Sequence, residues 1–296
     1  MLVYHADWSS GASKRWAVRA ALVDGRFLAL PPEPVGEPEL LIDRLKETSA
    51  GPILAGFDFP IGVPRAWAEA AGVSSFPALL PRLGRDEWSR FYELAETPDE
   101  IDLRRPFYPR CPGGTRFAHL ENGFGLLRRD LMRRCDRGGA GAPDACPLFW
   151  TLGANQVGRG ALTGWRELLT PALARGDVAL WPFDGPLDEL LERSRIVIVE
   201  TYPAAFYGRF GLQGAKGVGV DRAANAPALL RASARFGVEL DPQLADEVSV
   251  GFATDDHYDA LVGLLGMIEG VRGEAEAGEP RDDEAIAHVE GWMLGR

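Results

Sequence analysis

The chain has 296 residues, 46% of them hydrophobic, which suffices for one large domain or two small ones and excludes disorder as the default state. Its 43 acidic and 32 basic residues give a formal charge of −11, which opposes non-specific attraction of the whole protein to nucleic acid, so any polyanion would need a local basic patch. No apolar stretch approaches the roughly 18 to 20 residues of a membrane span, and no basic segment followed by a long apolar one opens the chain, so a soluble cytoplasmic protein without a signal peptide is expected.

Leu2 to Asp7 alternates as a strand, with Val3, His5 and Asp7 on one face. Ser9-Ser10-Gly11 turns it. Trp16 to Val23 and Arg26 to Leu30 flank the hairpin dipeptide Asp24-Gly25, so the chain opens as an antiparallel meander. Glu37 to Thr48 carries Leu40, Leu41 and Leu45 at helical spacing, and Ile53 to Phe59 reads as a short apolar strand. Residues 61–194 are rich in Pro and Gly and are read as a long, mainly helical insertion. The core, residues 1–60 and 195–272, resumes at Arg195 to Glu200, a β-branched run suited to a strand buried on both faces. Ala223 to Arg235 and Asp255 to Val271 follow as helices, and Asp282 to Leu294 is expected to be a peripheral one. These elements make an α/β domain on a mixed five-stranded sheet.

Ligand sites in open α/β sheets form at the carboxyl ends of strands, and three of the expected strands end in or just beyond an acid: Asp7, Asp58 and Glu200. Asp256 and Asp259 stand three apart at the start of a helix, so both can point the same way. Clustered carboxylates repel one another unless protons or a cation compensate, and hard oxygen donors suit Mg²⁺ or Mn²⁺. Each acid has a plainer reading too. Asp255 or Asp256 can cap the helix and complement its dipole, and Asp7 can be a turn residue. Glu200 can pair with an arginine. Asp58, between Phe57 and Phe59, would be costly if unpaired.

The order of Asp7, Asp58 in the run from Gly56 to Pro64, Glu200-Thr201-Tyr202-Pro203 and the closing run from Asp255 to Leu265 resembles the family called domain of unknown function 429, predicted RNase H-like nucleases. The resemblance covers most of the chain. Arg134-Cys135-Asp136 is similar to an element of that family, as are Lys216, Gly219 and Arg222. Asp255 to Leu261 also resembles the last helix of Holliday-junction resolvases, where acids three apart complete a metal site. The resemblance implies a three-layer RNase H-like α/β/α fold with Asp7, Asp58 and Asp256 or Asp259 as metal ligands; it assigns Glu200 no role. The long insertion departs from it and leaves substrate choice open.

Arg128, Arg129, Arg133, Arg134 and Arg137 fall at spacings that would give a helix a basic stripe able to contact phosphates, or else a solvated face paired with Asp130 and Asp136. Lysine occurs only at Lys14, Lys46 and Lys216, so 29 of the 32 basic residues are arginine, and their placement counts for more than their number. Arg104, Arg105, Arg110 and Arg116, interleaved with Phe107 and Tyr108, offer stacking and phosphate contacts to a single strand or ordinary loop packing. His5 and His257, beside the acids, are candidate proton shuttles or structural residues. Cys111, Cys135 and Cys146 are too few and too widely spaced for a CxxC pair or a disulfide framework.

The expected activity is hydrolysis of DNA or RNA with two ions held roughly 3.5 to 4 Å apart. Two alternatives stand beside it. One is an ATP-dependent phosphotransferase, loosely suggested by Asp7-Trp8-Ser9-Ser10-Gly11, although no second phosphate loop accompanies it. The other is a non-catalytic protein-binding module, which predicts carboxylates lying apart.

Overall fold

The computed structural model describes residues 1–108, 116–138, 144–152, 156–176, 178–273, 278–280 and 282–296. Leu2–Asp7 is β1, followed by Trp16–Val23 (β2) and Arg26–Ala29 (β3). The turn between the last two has φ of 47° at Asp24 and 81° at Gly25, the pair of positive angles whose twist matches the flanking strands. Glu33–Pro34 (β4), Pro38–Thr48 (α1) and Ile53–Phe57 (β5) complete the first part. The insertion contains Arg65–Ala71 (α2), Phe76–Leu79 (α3), Ala118–Phe124 (α4), Val157–Thr163 (α5), Thr170–Arg175 (α6), Ala179–Leu180 (β6) and Leu187–Arg193 (α7). Ile196–Glu200 (β7), Ala204–Phe210 (α8), Gly219–Ala224 (α9), Ala226–Arg235 (α10), Val238–Leu240 (β8), Pro242–Val250 (α11) and Asp255–Val271 (α12) follow.

The strands form one mixed sheet in the order β6-β7-β5-β1-β2-β3-β8, with β4 paired to β2. β6, β7, β5 and β1 run parallel, and β1, β2 and β3 are antiparallel. Eight strands among the described residues replace the five expected. The five are all present; β4 and β6 have two residues each and β8 three, too few to leave an alternation pattern in sequence.

Alternation divides the sheet's side chains between two cores. Tyr4, Ala55 and Ile198 pack towards α1 and the insertion, whereas Val3, Leu54 and Val197 pack towards α8, α10 and α12. Helices therefore cover both faces, and most of the insertion packs on the α1 face while Trp181, Leu187 and Leu190 near its end join the other core. α12 sits close to β1 and β5 because small residues line the contact. A Cβ on Gly263 would lie 2.1 Å from the His5 ring, and one on Gly56 would meet the Met267 sulfur at 2.4 Å.

The C-terminal segment differs from the expected peripheral helix. It holds one short helical turn, Ile286–Glu290, and then runs extended beside β7. The Leu294 N–H donates to the Glu200 carbonyl at 2.9 Å, and Val289, Trp292, Met293 and Leu294 are buried. Burial of these apolar residues requires the chain to turn inward, which an amphipathic surface helix would not. Among the described residues no helix is long and apolar enough to cross a membrane.

Candidate metal centre

Register brings the strand-end acids level. Ala6 pairs with Phe57, and Phe57 pairs with Glu200, so Asp7 and Asp58 each stand one residue beyond the last shared rung. Period two then separates them by face. Glu200 shares the face of Phe57 and Ala6, towards the insertion, while Asp7 shares the face of His5, towards α12. β5 ends at Phe57 rather than Phe59. Asp58 is thereby released from the sheet, and the Trp8 N–H donates to its Oδ1 at 2.5 Å.

On the α12 side, four carboxylates converge. The Asp7 carboxyl lies near enough to those of Asp58 and Asp256 for the groups to act on one another's proton affinity. Burial, then the charges of Asp58 and Asp259, hold the Asp7 carboxyl well above the ordinary carboxylate range. Burial pushes Asp58 up to about 6, against the Trp8 N–H that favours its charged form. Asp256 is raised by partial burial and by the neighbouring Asp255. Thr254, not an aspartate, caps α12, its Oγ1 accepting from the His257 N–H at 3.3 Å. Asp256 is thus left to face Asp7.

Asp259 is also buried, but both of its oxygens are taken. The Tyr207 hydroxyl donates to Oδ1 and the Lys216 ammonium to Oδ2. Burial raises this carboxyl, and Lys216 and Tyr207 act in the opposite direction. Lys216 comes from the loop between α8 and α9, with its side chain 48% exposed. Burial disfavours the ammonium, yet the charges of Asp259, Asp7 and Asp58 outweigh it and raise its pKa. Tyr207 was not a candidate from sequence: it lies on a short helix among apolar neighbours, and nothing in its spacing marks it.

The remaining candidates fall into other roles. Glu200 belongs to a second, separate network on the insertion face. Arg133, fully buried, grips the Glu200 carboxylate through both terminal nitrogens at 2.6 Å and holds Asp136 at 2.8 and 3.1 Å. The Ile61 N–H donates to Glu200 Oε2 at 2.6 Å. Glu200 is therefore an ion-pair partner, not a fifth member of the Asp7 cluster. Among the described residues, Cys135, Asp136 and Glu200 form the trio whose ligand atoms all lie within 4.8 Å of one another, and the Arg133 guanidinium already supplies the cation there. The acids around Asp7 are set more loosely.

The expected basic stripe does not form. Its residues sit on two short 3-10 turns, Arg128–Leu131 and Arg134–Asp136, which point Arg133 inward, Arg137 to the carbonyls of Arg129 and Met132, and Arg134 to Asp283 at 3.2 Å. Arg128, Arg129, Arg134 and Arg137 are exposed, Arg129 lying 3.5 Å from Asp130, and Arg133 is the buried one. Arg222, matched by resemblance to a family element, is buried and donates to the carbonyls of Lys216, Gly251 and Phe252. It ties the Lys216 loop to the turn before α12. Arg105, Phe107 and Tyr108 are core residues of the insertion, Arg104 stacks on Trp88 at 3.7 Å, and Arg116 donates its backbone N–H to Tyr108; Arg110 and Cys111 lie outside the described residues.

His5 is wholly buried and lowered to about 3 by that burial, so it is neutral. Its Nδ1 faces the Ala260 carbonyl at 3.1 Å and Nε2 the Thr201 hydroxyl at 2.8 Å. Because a carbonyl can only accept, Nδ1 carries the proton and Nε2 accepts, which leaves no nitrogen to shuttle protons. The His257 ring packs on Trp16, centroids 4.0 Å apart. Cys135 and Cys146 are free thiols.

The chain matches no family model, no curated protein and no solved structure.

Proposed function

We propose that the chain is a metal-dependent nuclease of RNase H-like fold, hydrolysing phosphodiester bonds of DNA or RNA. One observation carries this reading: Asp7, at the end of the central strand, is brought beside Asp58 and Asp256, which arrive from a second strand end and a helix start. The strand order, with antiparallel β1, β2 and β3 followed by parallel β5 and β7, supports the fold assignment, and it agrees with the family resemblance of the Asp7, Asp58 and Asp256 segments.

The donor set fits a hard divalent cation. Three carboxyls held above the ordinary range would lose their protons to Mg²⁺ or Mn²⁺, which prefers oxygen ligands. Asp7, Asp58 and Asp256 would hold the ion. When bound, it supplies positive charge for an attacking water and a departing oxygen. The chain itself supplies placement. Trp8 fixes Asp58 through its N–H, the Thr254 cap directs the first turn of α12, and Gly263 lets that helix approach β1 closely enough for Asp256 to reach Asp7. Phosphoryl transfer asks for such fixed charges more than for covalent partners.

Cleavage of a panel of single- and double-stranded DNA and RNA with Mn²⁺ tests the reading. Asp7→Asn is expected to remove the Mn²⁺-dependent activity that the parent shows. Equal activity of the two, or none by the parent on any substrate, would sink it.

A further inference from the structure

The Asp259 carboxylate does not behave like its three neighbours. Each of its oxygens has a donor, from Tyr207 on α8 and from Lys216 on the following loop, while among the described residues Asp58 accepts from the Trp8 amide and no bonded cation meets Asp7, Asp58 or Asp256. The Lys216 ammonium also acts on Asp7 and Asp58, so it sits within the field of the whole cluster. Its place is secured from behind, because Arg222 donates to the Lys216 carbonyl and anchors the same guanidinium on Gly251 and Phe252, next to the start of α12.

Resting on the metal-centre reading above, we infer that Lys216, seated on Asp259, takes the place of a second divalent cation, so that the site holds one ion through Asp7, Asp58 and Asp256. A second dication would have to displace the ammonium from Asp259 or sit beside it against charge repulsion, with no carboxylate left to its sole use. Asp259 and Tyr207 are then positioning residues that act through Lys216. The half-exposed Lys216 presents its charge to the outside, where a phosphodiester oxygen is the natural anion for an ammonium to meet.

Counting bound Mn²⁺ by isothermal titration on the full chain, with electron paramagnetic resonance of free Mn²⁺ as a second readout, tests this without reference to cleavage. The parent is expected to bind one Mn²⁺, and Asp7→Asn to lose it. Lys216→Met is expected to bind two, or one at least about tenfold tighter, because a neighbouring positive charge has gone. Lys216→Arg is expected to restore one ion at parent affinity. Two ions in the parent, or Lys216→Met indistinguishable from the parent, would overturn the inference and leave the metal-centre reading standing. No Mn²⁺ bound by the parent would overturn both. Should Lys216→Met fail to fold, Asp259→Asn reads the same arrangement. It is expected to keep one ion, and loss of that ion would make Asp259 a ligand and overturn the inference.

Discussion

Two acidic clusters stand at the same end of the sheet, on opposite faces, and they are balanced in different ways. On the insertion face, Asp136 and Glu200 close on the buried Arg133, whose guanidinium meets both carboxylates with charge-assisted bonds of 2.6 to 3.1 Å. On the α12 face, Lys216 is bonded to Asp259 alone, and Asp7, Asp58 and Asp256, which feel lysine charge only from a distance, are held above the ordinary carboxylate range. A cluster that carries its own counter-charge is part of the framework. One that lacks it is arranged to receive charge from outside, and the difference separates structure from chemistry more sharply than acid content does.

The strongest way to break this comparison is to remove one member from each cluster and measure stability in chelator. Arg133→Ala leaves two buried carboxylates unpaired and is expected to cost about 3–5 kcal/mol by urea denaturation. Asp7→Asn removes a repelling charge and is expected to leave stability unchanged or to raise it by about 1 kcal/mol. Equal losses in the two variants would show that both clusters are framework.

The second test adds the ion. A ligand that binds only the folded state stabilises by about 2.7 kcal/mol at a hundred times its dissociation constant, so Mn²⁺ is expected to raise the melting temperature of the parent. Glu200→Gln is expected to retain that rise and Asp7→Asn to lose it. Loss of the rise in Glu200→Gln would return Glu200 to the metal centre.

Much of this division was readable in the sequence, and the parts that were not have physical reasons. Asp7 and Asp58 were found because strand ends are marked by apolar runs that stop at an acid. The helix from Asp255 to Val271 was found because its apolar spacing is unbroken. Glu200 obeyed the same rule as Asp7, yet it fell on the other face, because that face depends on inter-strand register, a non-local quantity. The arginines from 128 to 137 have helical spacing but fold as 3-10 turns, since Arg133 is drawn inward by Asp136, close in sequence, and by Glu200, which is far from it in the chain. The role of Tyr207 became visible only when α8 and α12 were placed side by side.

The smallest effect is the most direct probe of the raised carboxyls on the α12 face. The folded Asp58 carboxyl is raised to about 6 from an ordinary value of 3.8, so it binds its proton more tightly folded than unfolded. Its contribution to stability is then fully present below pH 3.8 and lost as pH climbs through about 6. Metal-free parent is expected to lose on the order of 1 kcal/mol between pH 4 and 7 from this source. Asp259→Asn removes a charge that raises Asp58 and should shrink the loss, while Glu200→Gln should leave it in place. Mn²⁺ takes over from the departing protons, so its stabilisation is expected to grow over the same interval. A metal-free stability that rises through pH 6 in the parent and in Asp259→Asn alike would mean that the acids on the α12 face are already compensated from within, as those around Arg133 are.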